Sequence, residues 1–421
     1  MYQEHVLKNG LRILMVPMPG LQSISAGVFV RVGSRHESEA EAGLSHFIEH
    51  MLFKGTRQRP TAKLVAETIE SVGGLSNAYT SQETTVYYAK VAASQTHTVL
   101  DFLIDLVRQP LFEPLEFEKE RYVIGEELNM VYDSPDSWVN VLSDQLFWPN
   151  HPLGQNVIGT HESLARMSQE ALAAFFRKNY HPHNALVVVS GAFEPDRIVA
   201  ELTALCADWE PGLPPTFEPA PAPQTEPRWQ VEDRPIEQGH LCLALPGLSR
   251  LHPDRYALSV LNTILGEGMS SRLFLNIREE RGLAYAVDSG LNWLQDTGSL
   301  VVYAGVDPER APEALGAILD ELAQLRTELA PAAELRKAKE YLKGRLILGL
   351  EDSFSRAAWI AYQALYMERI KTPAEVLAAY EAVTAADVQA VAQRLLRPAE
   401  YTLAAVGPFG QGDRLGQLIL R

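Results

Sequence analysis

The spacing of apolar and polar positions changes several times along the chain, and each change marks an element. Ile24, Ala26, Val28, Val30 and Val32 recur at every second position, the period of a strand. Asn9-Gly10 separates the stretches 4–7 and 11–16 and predicts a tight hairpin turn between two strands. A helix is expected from about Ser38 to Lys54, with Phe47, Ile48, Met51 and Leu52 apolar at helical spacing and Gly55 as the stop. The same reading predicts a helix near 62–72, strands near 75–80 and 84–91, and long helices near 96–108 and 114–132.

The second half repeats this order. A strand is expected at 240–244, helices at 254–265 and 272–280, strands at 284–291 and 299–306, and further helices after them. Residues 168–193 read SQEALAAFFRKNYHPHNALVVVSGAF, and residues 384–409 read TAADVQAVAQRLLRPAEYTLAAVGPF. Each is a capped amphipathic helix, a turn containing proline, and a buried strand ending in glycine. A duplication at this long spacing implies two similar domains rather than a solenoid. Between them prolines recur at Pro211, Pro214, Pro215, Pro219, Pro221, Pro223 and Pro227, an extended, semi-rigid stretch unsuited to a core. The expected organisation is an N-terminal domain over 1–209, a linker over 210–227 and a C-terminal domain over 228–421. Strands that return through short turns place the chain in the α+β class. Two homologous domains are expected, each a mainly antiparallel sheet covered by helices on one side.

Composition narrows the partners. The 421 residues are 46% hydrophobic and carry a net charge of -16. That balance argues against nucleic acid or an anionic membrane as partner. It is compatible with a basic peptide substrate, and equally with acidity that serves only solubility. Cys206 and Cys242 form neither a C-x-x-C pair nor a disulfide framework, so a reducing, cytoplasmic compartment is expected. No apolar run reaches the length of a membrane span. The N-terminus enters a strand-like stretch at once, without a charged-then-apolar signal segment.

The candidate chemistry lies in His46-Phe47-Ile48-Glu49-His50. Two histidines four positions apart on a helix share a face, so both imidazoles can meet one metal ion, and zinc suits that ligand set. This is the H-x-x-E-H pattern of the inverzincins. Phe47, Ile48, Met51 and Leu52 make the helix largely apolar, and polar groups buried in it need partners, which a metal supplies. A third protein ligand is required. In the acidic stretch 120–130, Glu120, Ile124 and Glu127 share a helical face, while Glu126 points about 100° away. One carboxylate could bind metal and another steady it or a histidine. Spacing alone does not choose between them.

The chain resembles the pitrilysin (insulinase) family of zinc peptidases. It is most similar to the shorter two-domain branch that includes the mitochondrial processing peptidase and its bacterial relatives. The motifs that carry the likeness span nearly the whole chain. They are residues 43–56 (GLSHFIEHMLFKGT), 77–80 (NAYT) and 120–127 (ERYVIGEE), then 269–274 (MSSRLF) and 278–285 (REERGLAY). The resemblance implies that Glu127 is the third ligand of one zinc per chain and that Glu120 stands behind the ligands. It implies Glu49 as general base, passing the proton of an activated water to the leaving amine. Arg278 and Tyr285 would then stabilise the oxyanion. An extended peptide would add to an edge strand formed by Gly74, Asn77, Ala78, Tyr79 and Thr80, with the glycines admitting its backbone closely. It further implies a homodimer, or a heterodimer with a related chain, in which the zinc half of one subunit meets the Arg/Tyr half of another. The function expected is that of a zinc metalloendopeptidase acting on peptides or unfolded segments. The alternatives are a subunit active only with a related partner chain and a non-catalytic scaffold of the same fold.

Overall fold

The structure, a computed structural model, describes residues 2–410 and 413–420. The strands are β1 (Gln3–Val6), β2 (Arg12–Pro17), β3 (Ser23–Val30), β4 (Leu75–Thr80), β5 (Thr85–Ala92), β6 (Ala185–Gly191), β7 (Arg228–Asp233), β8 (Gly239–Pro246), β9 (Ala284–Trp293), β10 (Gly298–Val306) and β11 (Thr402–Gly407). The helices of the first half are α1 (Leu44–Leu52), α2 (Ala62–Glu70), α3 (Thr96–Arg108), α4 (Pro114–Asp133), α5 (Pro135–Phe147), α6 (His161–Arg166), α7 (Gln169–Asn179) and α8 (Pro195–Leu205). Those of the second are α9 (Arg255–Leu265), α10 (Ala311–Thr327), α11 (Ala332–Gly349), α12 (Ser353–Tyr366), α13 (Pro373–Ala382), α14 (Ala385–Leu395) and α15 (Asp413–Leu418). Between α9 and β9 residues Phe274–Glu280 form a π-helix.

The chain is of the α+β class, with two sheets of corresponding order. The first runs β1-β2-β6-β3-β5-β4 and the second β7-β11-β8-β10-β9. In both, one pair is parallel (β2 with β6, β11 with β7) and the remaining pairs are antiparallel. The hairpin expected at Asn9-Gly10 joins β1 to β2, with Gly10 at φ 87. The duplicated segments become α7 with β6 and α14 with β11. Both helices are capped alike, Ser168 accepting from the N–H of Ala171 and Thr384 from that of Asp387.

Each sheet has helices on both faces, not on one. One face of the first sheet packs on a large core that includes Ile13, Ile24, Val28, Phe47, Leu103 and Leu172. Its other face, through Leu14, Val16, Phe29, Val86, Leu186 and Val188, packs on Ala357, Ile360 and Ala361 of α12. This explains why β3, whose alternation by itself suits a strand with one face in solvent, is buried on both sides: Ser25 bonds Ser353 at 2.8 Å and Phe29 meets Tyr362 edge-on. The second sheet is treated in the same way. One face packs on α9, α10 and α14, and the other, through Cys242, Ala404 and Val406, on Val139 and Leu142 of α5.

The two compact units are therefore not the contiguous halves expected from the linker. One comprises residues 1–129, 155–218 and 348–370, the other 130–154, 219–347 and 371–421. Each unit takes one helix from the opposite half of the chain. The proline-rich stretch changes unit after Glu218. Its earlier part is held in the first unit, where His181 bonds the carbonyl of Leu213 and Arg35 stacks on Phe217 with its guanidinium 4.0 Å from the ring centre. Among the described residues no helix is long and apolar enough to cross a membrane. Cys206 and Cys242 are buried free thiols.

Candidate metal centre and active site

The helix that carries His46 and His50 is shorter than expected. It runs Leu44–Leu52, and residues 34–36 and 39–41 form separate 3-10 turns ahead of it. The break lies at Gly43, whose φ of 96 is left-handed, outside right-handed helical geometry and open to glycine without steric cost. Leu44, Phe47, Ile48, Met51 and Leu52 are buried in the core. Phe47 stacks on Phe117 of α4 with ring centres 4.6 Å apart. This contact lays α1 against α4 and brings the histidines to the acidic face of α4.

His46, His50 and Glu127 converge there. Their ligand atoms lie within 4.8 Å of one another. Nε2 of His46 and Nε2 of His50 are each 3.6 Å from Oε2 of Glu127. Donors held tetrahedrally at zinc bond lengths sit roughly 3.3–3.6 Å apart, so the donor set and its spacing fit zinc. Burial, reinforced by the neighbouring His50, pushes His46 down to about 3. Its imidazole is thus neutral and offers a lone pair, as a ligand must.

The two histidines are oriented differently. Nδ1 of His50 donates to Oε2 of Glu120 at 3.0 Å, which fixes the tautomer that leaves Nε2 as donor to a metal. Glu120 is buried and is also held by Lys54, 2.6 Å from its Oε1. Burial works to raise its pKa, but the hydrogen bonds from His50 and Lys54 outweigh this and hold the carboxyl below its ordinary value. Nδ1 of His46, by contrast, is buried with no hydrogen-bond partner among the described residues. Glu126 is exposed and stands apart from this cluster, as the helical angle requires.

Glu49 faces the same region. Burial raises its pKa, against a hydrogen bond from Thr80 and the charge of His50, with Glu127 adding to the rise. Thr80 donates to Oε2 of Glu49 at 2.5 Å. This contact was not legible in the sequence, where Thr80 appeared only as part of a peptide-binding edge. Lys54 was equally unmarked, although it lies one turn beyond His50, the spacing at which helical neighbours meet.

β4 is the edge strand of the first sheet, and Leu75, Ser76 and Asn77 are exposed. Asn77 turns its Oδ1 back to the N–H of Ala78, and the hydroxyl of Tyr79 bonds that of Tyr362. A Cβ at Gly74 would lie 2.6 Å from Val91 and 2.8 Å from Ile69, so inward packing favours glycine there.

In the second unit the structure brings Arg278 and Tyr285 together. The π-helix carries Arg278, whose guanidinium lies 5.4 Å from the ring centre of Tyr285 and 4.8 Å from that of Phe274. Tyr285, at the start of β9, is 76% exposed, so its hydroxyl is available to a ligand. The helical turn ahead of Arg278 is anchored by Arg272, which binds Glu334 through Nε at 2.9 Å and through Nη2 at 2.7 Å. Asn276 donates to Glu321 at 2.6 Å. The extra residue per turn of a π-helix, frequent at functional sites, is not visible in the apolar spacing.

Known proteins resemble this chain in sequence and in fold. The family described as "Insulinase (Peptidase family M16)" matches residues 12–161, and "Peptidase M16 inactive domain" matches 166–342. An uncharacterized zinc protease of Bacillus subtilis is 35% identical, over 97% of this chain and 99% of its own. One from Mycobacterium tuberculosis is 36% identical, over 98% and 94%. Among solved structures, a protease from Helicobacter pylori shares the fold with a TM-score of 0.93 at 24% identity, covering 97% of this chain and 99% of that one.

Proposed function

The chain belongs to the insulinase family of M16 peptidases, and from that premise we propose that it is a zinc metalloendopeptidase acting on peptides or unfolded segments. The observation that carries this reading is the convergence of His46, His50 and Glu127 at zinc-ligand spacing. Zinc held there supplies Lewis acidity and brings the pKa of water toward neutral. Glu49 takes the proton from the attacking water and returns it to the leaving amine. With Oε2 engaged by Thr80, Oε1 is the atom that handles this proton. Glu120 keeps His50 in the tautomer that presents Nε2. The edge strand β4 receives an extended peptide by backbone pairing, which favours affinity over sequence preference. Arg278 and Tyr285 donate to the oxyanion of the tetrahedral intermediate.

We further propose a dimer in which the zinc-bearing half of one chain works with the Arg278/Tyr285 half of another. The test uses purified protein. About one zinc per chain with peptide cleavage is expected, and absence of zinc binding overturns the reading. Mixing Glu49→Gln chains with Tyr285→Phe chains then addresses the dimer. If each site draws on two identical chains, one site of a mixed dimer is intact and part of the activity returns. No recovery on subunit exchange places both groups of a site on one chain or requires a different partner.

A further inference from the structure

The loop that enters the metal helix carries an acidic side chain with no place in the mechanism above. Glu37 is 2% exposed. Its Oε2 accepts from the backbone N–H of Gly43 at 2.7 Å and its Oε1 from that of Ser45 at 2.6 Å. Both groups lie at the start of α1, where a helix leaves its first amides without partners of its own. A Ser, Thr, Asp or Asn at the N-cap commonly answers them. Here the N-cap is Gly43, which has no side chain to offer. A Cβ at Gly43 would stand 2.5 Å from the carbonyl oxygen of Ile158, so no capping residue fits that position. The acceptor comes instead from Glu37, as an acid at the end of the helix that favours negative charge.

The loop that presents Glu37 is itself fixed. Arg35 pairs with Glu83 at 2.8 Å, both side chains at most 5% exposed. The N–H groups of Ser34 and Arg35 donate to the carbonyls of Ser81 and Gln82. Those carbonyls belong to the turn that follows Thr80, the residue bonded to Glu49. Ser45 is adjacent to His46, so a shift at the cap moves the ligand with it. Among the described residues, His46 is the ligand with no hydrogen bond on its second nitrogen. Its ring is oriented by packing and by the placement of its own backbone, whereas His50 has Glu120.

We propose that Glu37 is a positioning residue for the metal centre, its two hydrogen bonds setting the start of α1 so that Nε2 of His46 faces Glu127. This rests on the zinc reading of the site. The test is Glu37→Gln, in which an amide NH2 must face one of the two N–H donors. Zinc affinity, measured by competition with a chromophoric chelator, is expected to fall about 10–100-fold, the range for groups that orient metal ligands. The visible absorption of the cobalt(II)-loaded protein is expected to change, because its intensity follows ligand geometry. Wild-type affinity together with a wild-type cobalt spectrum overturns the inference, even if the variant melts earlier. If the variant does not fold, amide exchange in the wild-type chain decides. Slow exchange at Gly43 and Ser45 with and without zinc is expected, and exchange at Ser45 as fast as in an unstructured peptide overturns the inference. A wild-type chain that binds no zinc defeats the reading of the site; a zinc-binding wild type with an unaltered Gln variant defeats only the role of Glu37.

Discussion

α1 and α9 hold the same place in the two repeats, each lying between the strand that precedes it and the edge hairpin that follows, β4–β5 or β9–β10. Both bury an apolar face: Leu44, Phe47, Ile48, Met51 and Leu52 on one, Leu258, Leu261, Ile264 and Leu265 on the other. They differ in their polar positions. α1 carries His46, Glu49 and His50 toward an acidic helix, whereas α9 buries Asn262, which accepts from Ser289 and closes a local network. Their entries differ too. α1 is capped from a distance by Glu37, while the N-cap Asp254 of α9 makes no side-chain capping bond. One scaffold thus carries a candidate metal site in one unit and plain packing at the matching place in the other, so what distinguishes them is a few side chains rather than the fold.

The comparison breaks most readily at the polar positions of α1. Glu49→Gln is expected to retain zinc, because Glu49 is not among the converging ligand atoms, yet to lose cleavage by about 10²–10⁴-fold, the share of a general base. Glu127→Gln is expected to lose zinc affinity and activity together. Metal analysis beside a peptide assay separates the two. Loss of zinc from Glu49→Gln would show that its role is wrongly assigned, and unchanged zinc affinity in Glu127→Gln would remove that ligand from the site.

How far this was legible in the sequence depends on the range of each contact. Helical spacing alone placed His46 with His50 and Glu120 with Glu127, because these pairs share single helices. α3 and α4 were also placed within a residue, since their apolar stripes are long and their starts are marked. Thr80 on Glu49 and Glu37 on the start of α1 join separate elements, and no periodicity reports such contacts. The length of α1 was overstated because the expected helix took in residues 39–41, a separate 3-10 turn that Gly43 divides from the helix. The exchange of α5 and α12 left no mark either. An amphipathic stripe shows that a helix is buried, but not against which sheet.

The exchanged helices give the next test. Ile360 on α12 is 2% exposed against the first sheet. Ile360→Ala removes buried methyl groups and leaves a cavity, at an expected loss of about 2–4 kcal/mol. Amide exchange is expected to speed up in β3 and β6 and to stay unchanged in β8 and β11. Leu142→Ala on α5 is expected to show the reverse pattern. Uniform acceleration across both sheets in either variant would mean that the units do not open independently.

The same two helices differ in charge, and this gives the smallest expected effect. α12 has no acidic residue between Ser353 and Tyr366, whereas α5 has two, Asp136 and Asp144. Their environments act in opposite directions. The Ser134 hydroxyl beside Asp136 holds that carboxyl below its ordinary value, while burial pushes Asp144 up to about 7. In the unfolded chain an aspartate titrates near about 4. The folded state therefore binds the Asp144 proton more tightly than the unfolded state. Its stabilising contribution is complete below about pH 4 and is lost as pH rises toward about 7. Asp144→Asn removes that dependence. Relative to wild type it is expected to gain stability at pH 8, on the order of 1–3 kcal/mol, and to gain little at pH 4. Urea unfolding at both values, followed by amide exchange in β8 and β11, checks this. An equal difference between variant and wild type at the two pH values would show that Asp144 titrates in the folded chain as it does in the unfolded one.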